Sequence, residues 1–239
     1  NKSCGGTRLR LLVRLSARRS GAYDTSYYHK LRGRVWRGLR DSPFSAEHDG
    51  SDPVGISFSN IFPWGDFEAG DTRYLLIASA REEPLAYIAA DLLENRELNV
   101  GEMPFTIDSV DEIYPDVGEP GTTGTLRTET GVFAKIPPQF HDELGLVDRT
   151  NVYWQPEFTM APFQNYIETQ LQRQHERFGY AGVSGPLDVD YRLFDEYTLL
   201  KTFALPVTVT DGVELQFVLS KWEFSYTVRD EAHREKLNL

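Results

Sequence analysis

The chain has 239 residues, 40% of them apolar and 13% aromatic, enough to bury a sizeable core as one large domain or two small ones. Its formal charge is −11, its one cysteine is Cys4, and no apolar run approaches the length of a membrane span. These counts exclude an intrachain disulfide, a cysteine metal cluster and a membrane-spanning segment; no secretory signal is visible, and a reducing, cytoplasmic setting is the simplest reading.

The charge is unevenly spread. Residues 8–40 hold ten cations and one acid, Asp24, for a local +9, which leaves −20 on the remainder. A positive field on an acidic body is the footprint of a phosphate-binding face. Nineteen arginines stand against six lysines, so the acidic, lysine-poor surface resembles proteins of salt-loving archaea. High salt screens simple phosphate attraction, and binding there must lean on bidentate arginine contacts and base stacking.

In chain order, residues 1–7 (NKSCGGT) read as a disordered leader. LRLLVRLS then alternates, with Leu9, Leu11, Val13 and Leu15 on one face and Arg8, Arg10, Leu12 and Arg14 on the other, a half-buried strand with a basic side. Residues 22–41 read as a helix with Tyr28, Leu31, Val35 and Leu39 as its apolar stripe and Lys30, Arg34 and Arg37 on another face. Gly33 and Gly38 weaken that helix by about 1 kcal/mol each, which suggests that a close approach is wanted there. GISFSNIF and TRYLLIASA are strands joined by a turn at Gly65 and Gly70, EEPLAYIAADLLEN is a helix with acids and Pro84 in its first turn, and MPFTIDSVDEIY is a strand. The order β-α-β-β-α-β over residues 8–115 is a ferredoxin-like unit.

Residues 116–124 (DVGEPGTTG) read as a linker, and the order then restarts over 125–239: a strand at TLRTETGVFAKI, a helix at 161–179 with Phe163, Ile167, Leu171 and Phe178 along one side, and strand segments in 187–205. Asp211-Gly212 between alternating runs marks a hairpin, and RDEAHREKLNL begins a helix. The expected fold class is α+β, with two tandem ferredoxin-like units, the second lacking its last strand.

LRLLVRLSA, YYHKLRGRVWRGL, AEHDG and GISFSNIFP, taken in that order, resemble the CRISPR-associated endoribonucleases that cut CRISPR precursor RNA, members of the repeat-associated RNA-binding superfamily. The resemblance covers nearly the whole chain, and FSNIFP is its most specific motif. It implies tandem ferredoxin-like folds and a catalytic histidine in the loop after the first helix, here His48, flanked by Glu47 and Asp49. Some members add a tyrosine in that helix and a lysine after the histidine. Trp36 and Arg37 stand near the first of these positions and no lysine closely follows His48, so only the histidine is carried over. The family's glycine-rich loop and final strand would follow the last helix begun here.

The implied reaction is attack of the RNA's own 2′-hydroxyl on the adjacent phosphate, with no metal and no cofactor. Histidine, with an ordinary pKa of about 6.5, suits the proton transfers, and arginine suits the crowded phosphate. Arg10, Arg14, Lys30, Arg34 and Arg37 are expected to form the RNA face, with His29 beside them. Tyr27, Trp36 and Trp64 are candidate base-stacking residues, whereas Tyr28 falls on the core stripe; His141, His175 and His233 are expected at the surface. The expected partners are CRISPR repeat RNA and other subunits of a CRISPR effector complex. The rival readings are a catalytically inactive RNA-binding subunit of such a complex and a self-associating structural protein.

Overall fold

The computed structural model describes residues 9–24, 27–45, 55–147, 152–178, 192–210 and 213–238. Contacts divide the chain into two compact units, Thr7–Asp116 and Val117–Leu239. The first contains β1 (Arg10–Ala17), α1 (Tyr28–Arg37), β2 (Ile56–Phe58), β3 (Thr72–Ser79), α2 (Glu82–Glu94), β4 (Glu97–Val100) and β5 (Met103–Ile113). Its sheet runs β2-β3-β1-β5-β4 with every neighbouring pair antiparallel. Without β4 this is the ferredoxin-like strand order.

β1 alternates as its sequence requires: Leu11, Val13, Leu15 and Ala17 are buried, and Arg14 is exposed. The buried set joins Leu31, Val35 and Leu39 of α1, Leu85, Ile88 and Leu92 of α2, and Leu75 and Ile77 of β3 in one core. Apolar burial of this kind contributes about 25 cal/mol per Å². Strand β4 was not expected. ELNV is half polar, yet Leu98 and Val100 alternate into the core and Gly101, at φ +61°, turns the chain into β5.

β2 is shorter than the eight-residue strand expected over 55–62. Ser59 ends it: its N–H donates to the Leu76 carbonyl (2.8 Å), while its hydroxyl oxygen accepts the Leu76 N–H (2.9 Å). The chain then bulges, Ile61 enters the core, and pairing resumes at Phe62 opposite Tyr74. Tyr27 holds this bulge from the entry to α1, its hydroxyl accepting the Ile61 N–H at 3.0 Å. Tyr27 is therefore a buried core residue and not a free stacking surface.

The second unit contains β6 (Thr123–Arg127), a 3-10 turn at Pro138–Phe140, α3 (Met160–Phe178), β7 (Glu196–Thr210), β8 (Val213–Thr227) and α4 (Glu231–Asn238). Its sheet runs β6-β8-β7, the ferredoxin-like order for the first three strands, and among the described residues β6 is an edge. The hairpin expected at Asp211-Gly212 is seen in its register, Thr210 opposite Val213; residues 211–212 themselves lie outside the described set. Much of the aromatic content is here: Phe163 of α3 stacks on Trp222 of β8 at 4.2 Å, with Trp154 5.3 Å from Trp222. The glycine-rich stretch read as a linker is built into this unit. Val117 is buried and donates its N–H to Asn238 Oδ1 (2.9 Å), and the Gly121 N–H reaches the Val228 carbonyl (2.7 Å).

The structure corrects the surface placement of His233. It is fully buried in the first turn of α4, whose N-terminus is capped by the Asp230 carboxylate accepting the His233 N–H (2.8 Å). Nδ1 lies 3.2 Å from the Arg229 N–H and Nε2 lies 2.7 Å from the Leu193 carbonyl, so the ring accepts at one nitrogen and donates at the other, as a neutral imidazole does.

Two outcomes follow. A Cβ on Gly38, just past α1, would stand 2.9 Å from Ile88 Cα and 3.3 Å from the Tyr87 carbonyl oxygen of α2. Gly38→Ala should therefore destabilise by about 1–3 kcal/mol, read as a lower urea midpoint. Burial, chiefly, lowers the His233 pKa; Arg229 pushes the same way, and the Leu193 hydrogen bond, Asp230 and Asp195 oppose it. Its contribution to stability is then complete above the unfolded value of about 6.5 and is lost as the pH falls below it toward the folded value. Urea midpoints should fall on acidification through about pH 6, and His233→Gln should flatten that part of the curve.

Candidate nucleic-acid interface

The central strand sets two cations on the face of the first sheet turned away from its helices. Arg10 lies opposite Ala78 and Ile113, and Arg14 opposite Tyr74 and Ser109. Arg10 is half-buried, and burial lowers its pKa. Its Nε is buried with no hydrogen-bond partner. Among the described residues neither Arg10 nor Arg14 has an ion-pair or hydrogen-bond partner. A half-desolvated guanidinium without a counter-charge costs folding energy, and such groups concentrate where an anion is to be bound.

α1 carries the next set. Its stripe of Leu31, Val35 and Leu39 packs inward, leaving Lys30, Arg32, Arg37 and Arg40 exposed along α1 and the turn after it. Arg34 departs from the expected RNA face. Its Nη1 pairs with Asp91 Oδ2 and its Nη2 donates to the Asn95 carbonyl (2.7 Å), which ties α1 to the end of α2. Arg37 Nε also stands 3.5 Å from Asp91 Oδ1, but its side chain is half-exposed. Lys30, Arg32 and Arg40 have no ion-pair partner among the described residues. Elsewhere arginines meet acids: Arg18 with Glu97, Arg19 with Glu102, Arg127 with Glu223 and Arg229 with Asp195.

Residues 46–54, and with them His48, lie outside the described residues, but both flanks of the segment are placed. Ser42 Oγ donates to the Leu39 carbonyl (2.8 Å) and accepts the Phe44 N–H (3.1 Å). Phe44 is buried edge-on to Tyr87 (6.1 Å), with the Arg81 guanidinium 5.0 Å from its ring. On the far flank, the Ala80 N–H donates to the Gly55 carbonyl (3.2 Å). The segment thus leaves and rejoins the unit at the sheet end where β1 starts, α1 and β3 finish and α2 begins. Arg10, Arg37 and Arg40 belong to that end.

His29 and Lys30 belong to the other end of α1; Lys30 is about 10 Å along the helix from Arg37. The His29 side chain lies outside the described residues. The single basic face expected from the sequence is therefore two surfaces, Arg10 and Arg14 on the sheet face turned away from the helices and Lys30 and Arg37 on the outer side of α1. Strand and helix periodicity each located the cations, but neither shows which side of a sheet a later helix covers.

No protein-family model matches the chain. It is 52% identical over 233 residues to the CRISPR-associated endoribonuclease Cas6 of Haloferax mediterranei, spanning 97% of this chain and 86% of that protein. The chain belongs to the Cas6 family of CRISPR-associated endoribonucleases. A second Cas6 endoribonuclease, from Methanocaldococcus jannaschii, is 28% identical over 117 residues, 49% of this chain and 48% of that one. Among solved structures, a Cas6-related protein from Pyrococcus furiosus superposes with a TM-score of 0.64 at 15% identity, covering 96% of this chain and 90% of the other. A CRISPR-associated Cas6 protein superposes with a TM-score of 0.61 at 16% identity over 92% of this chain and 87% of its own. Identities this low bear on the fold alone, and they agree with the ferredoxin-like order described above. The source of the 52% relative fits the salt-loving character read from the composition.

The two kinds of arginine should separate on substitution. Arg34→Ala leaves Asp91 largely buried with a weakened partner set, and stability should fall by about 3 kcal/mol with little change in the RNA affinity of the folded protein. Arg10→Ala removes an unpaired cation, so RNA affinity should fall while the urea midpoint holds or rises.

Proposed function

We propose that the chain binds CRISPR repeat RNA and cuts it without a metal ion, by attack of a 2′-hydroxyl on the neighbouring phosphate, releasing mature guide RNA to the other subunits of a CRISPR complex. The observation that carries this reading is the set of cations without an ion-pair partner among the described residues, Arg10, Arg14, Lys30, Arg32 and Arg40, on one unit of a protein whose net charge is −11. In a chain with 36 acids, five cations without ion pairs among the described residues point to an anion from outside. Arg34 is assigned to holding α1 on α2, and Arg10, Arg14, Lys30 and Arg37 to the RNA, with His29 beside Lys30.

In this reading the O2′–P bond forms as the P–O5′ bond breaks. The 2′-hydroxyl gives up its proton, and the leaving 5′-oxygen takes one. His48 serves one of these transfers, because the flanks of the segment holding it lie at the end of the unit to which Arg10, Arg37 and Arg40 belong. The guanidiniums there hold the phosphate oxygens as negative charge builds on them. The products are a 2′,3′-cyclic phosphate and a 5′-hydroxyl. DNA offers no 2′-hydroxyl and would bind without being cut.

The test is single-turnover cleavage of repeat RNA in the presence of chelator, alongside equilibrium binding. His48→Ala should bind as the parent does and cleave about 10²–10⁴-fold more slowly. A substrate with a single 2′-deoxy substitution at the cut should bind and stay intact. Undiminished cleavage by His48→Ala removes that residue from the mechanism; cleavage of the deoxy substrate removes the mechanism itself. A parent protein that binds repeat RNA and yields no product would instead be an RNA-holding subunit.

A further inference from the structure

Trp64 stands apart from the other three tryptophans. Trp154 and Trp222 are buried in the second unit and Trp36 is half-buried on the first core, while Trp64 keeps 40% of its surface in solvent. It follows Pro63 in the link between β2 and β3, and Gly65, at φ +117°, turns the chain directly after it. The indole lies nearly parallel to Tyr23, with ring centres 5.5 Å apart and planes 18° from parallel.

Tyr23 is fixed in place. Its hydroxyl donates to the Ile61 carbonyl (2.5 Å), lies 2.8 Å from the Tyr27 hydroxyl, and burial raises its pKa well above the phenol range. Its amide donates to the Asp66 carboxylate at 3.1 Å. The turn is held as well, because Arg73 Nη2 donates to the Asp66 carbonyl at 3.0 Å. The exposed indole is thus braced before any ligand arrives, and little side-chain entropy remains to be lost on binding.

The surroundings indicate the ligand. Phe62, two residues earlier, lies 5.8 Å from Tyr74, and Tyr74 sits directly across the sheet from exposed Arg14. A flat apolar group attached to an anionic backbone suits both the indole and the guanidinium. We propose that Trp64, braced by Tyr23, is a stacking platform for one unpaired nucleobase of the bound RNA, at the end of the first unit where β1 finishes and β3 starts. The proposal rests on the RNA-binding reading above and adds a contact that the basic residues do not supply. Stacking accepts any base and resists salt that screens phosphate contacts, so the platform anchors the strand without reading its sequence.

Two probes of equal charge test it: a single-stranded oligoadenylate and an abasic ribose-phosphate oligomer of the same length. Trp64→Ala should lose roughly 5- to 150-fold in affinity for oligoadenylate and nothing for the abasic oligomer. Trp64→Phe should keep most of the affinity, and oligoadenylate should quench tryptophan emission in the parent far more than in Trp64→Phe. Arg14→Ala should weaken binding of both oligomers and reduce the slope of log affinity against log salt by about 0.7. Equal affinity of Trp64→Ala and parent for oligoadenylate overturns the platform alone, as do equal losses on both oligomers together with equal quenching in the parent and in Trp64→Phe. A parent that binds neither oligomer overturns the RNA-binding reading and the platform with it.

Discussion

Strand β1 cannot slip. Its apolar residues fill alternate positions, so a shift of one would send Leu11, Val13 and Leu15 into solvent and drive Arg10 and Arg14 into the core. It is also the central strand, paired with β3 on one side and β5 on the other, so its register sets theirs. Three leucine and valine side chains thereby decide which way two arginines point. The core holds the cations where their own solvation would not, half-buried in the case of Arg10 and without a neutralising acid among the described residues.

The same economy of placement appears in α1. One helix face is core, and the cations divide by their position on the rest of its circumference. Arg34 meets Asp91 and becomes part of the packing between α1 and α2, while Lys30, Arg32 and Arg40 meet no acid among the described residues. Proteins of high net negative charge can neutralise nearly every cation by proximity, and the pairs at Arg18, Arg127 and Arg229 show this chain doing so elsewhere. Leaving a cluster unpaired therefore takes local exclusion of acids, visible already in a stretch of 33 residues with Asp24 alone.

Much of this was legible in the sequence because hydrophobic periodicity reports directly on burial. The alternation of β1, the stripe of α1, the acidic start of α2 and the two-residue hairpin spacing each name a local geometry that the structure keeps. What escaped were effects of residues far apart in sequence. Periodicity puts Tyr28 on the apolar stripe and leaves Tyr27 off it, and only the bulge at Ile61 shows that Tyr27 is in the core. Arg34 looks like any helical arginine until α2 brings Asp91 to it. His233 sits among charged neighbours in sequence, yet it is buried because the Leu193 carbonyl and the Arg229 amide supply its polar contacts. β4 was missed because an edge strand of four residues leaves too few alternations to detect.

The clasp between Val117 and Asn238 joins positions 121 residues apart. As the chain emerges during synthesis, β5 can pair with β1, and the cation-bearing unit can be complete, before any of residues 117–239 has appeared. The second unit cannot fasten its opening residues until α4 has left the ribosome. Until then its tryptophans and phenylalanines lack their final cover. A finished basic unit and an unfinished aromatic one coexist on every nascent molecule, which makes the later half the one most dependent on protection from aggregation while it is being made.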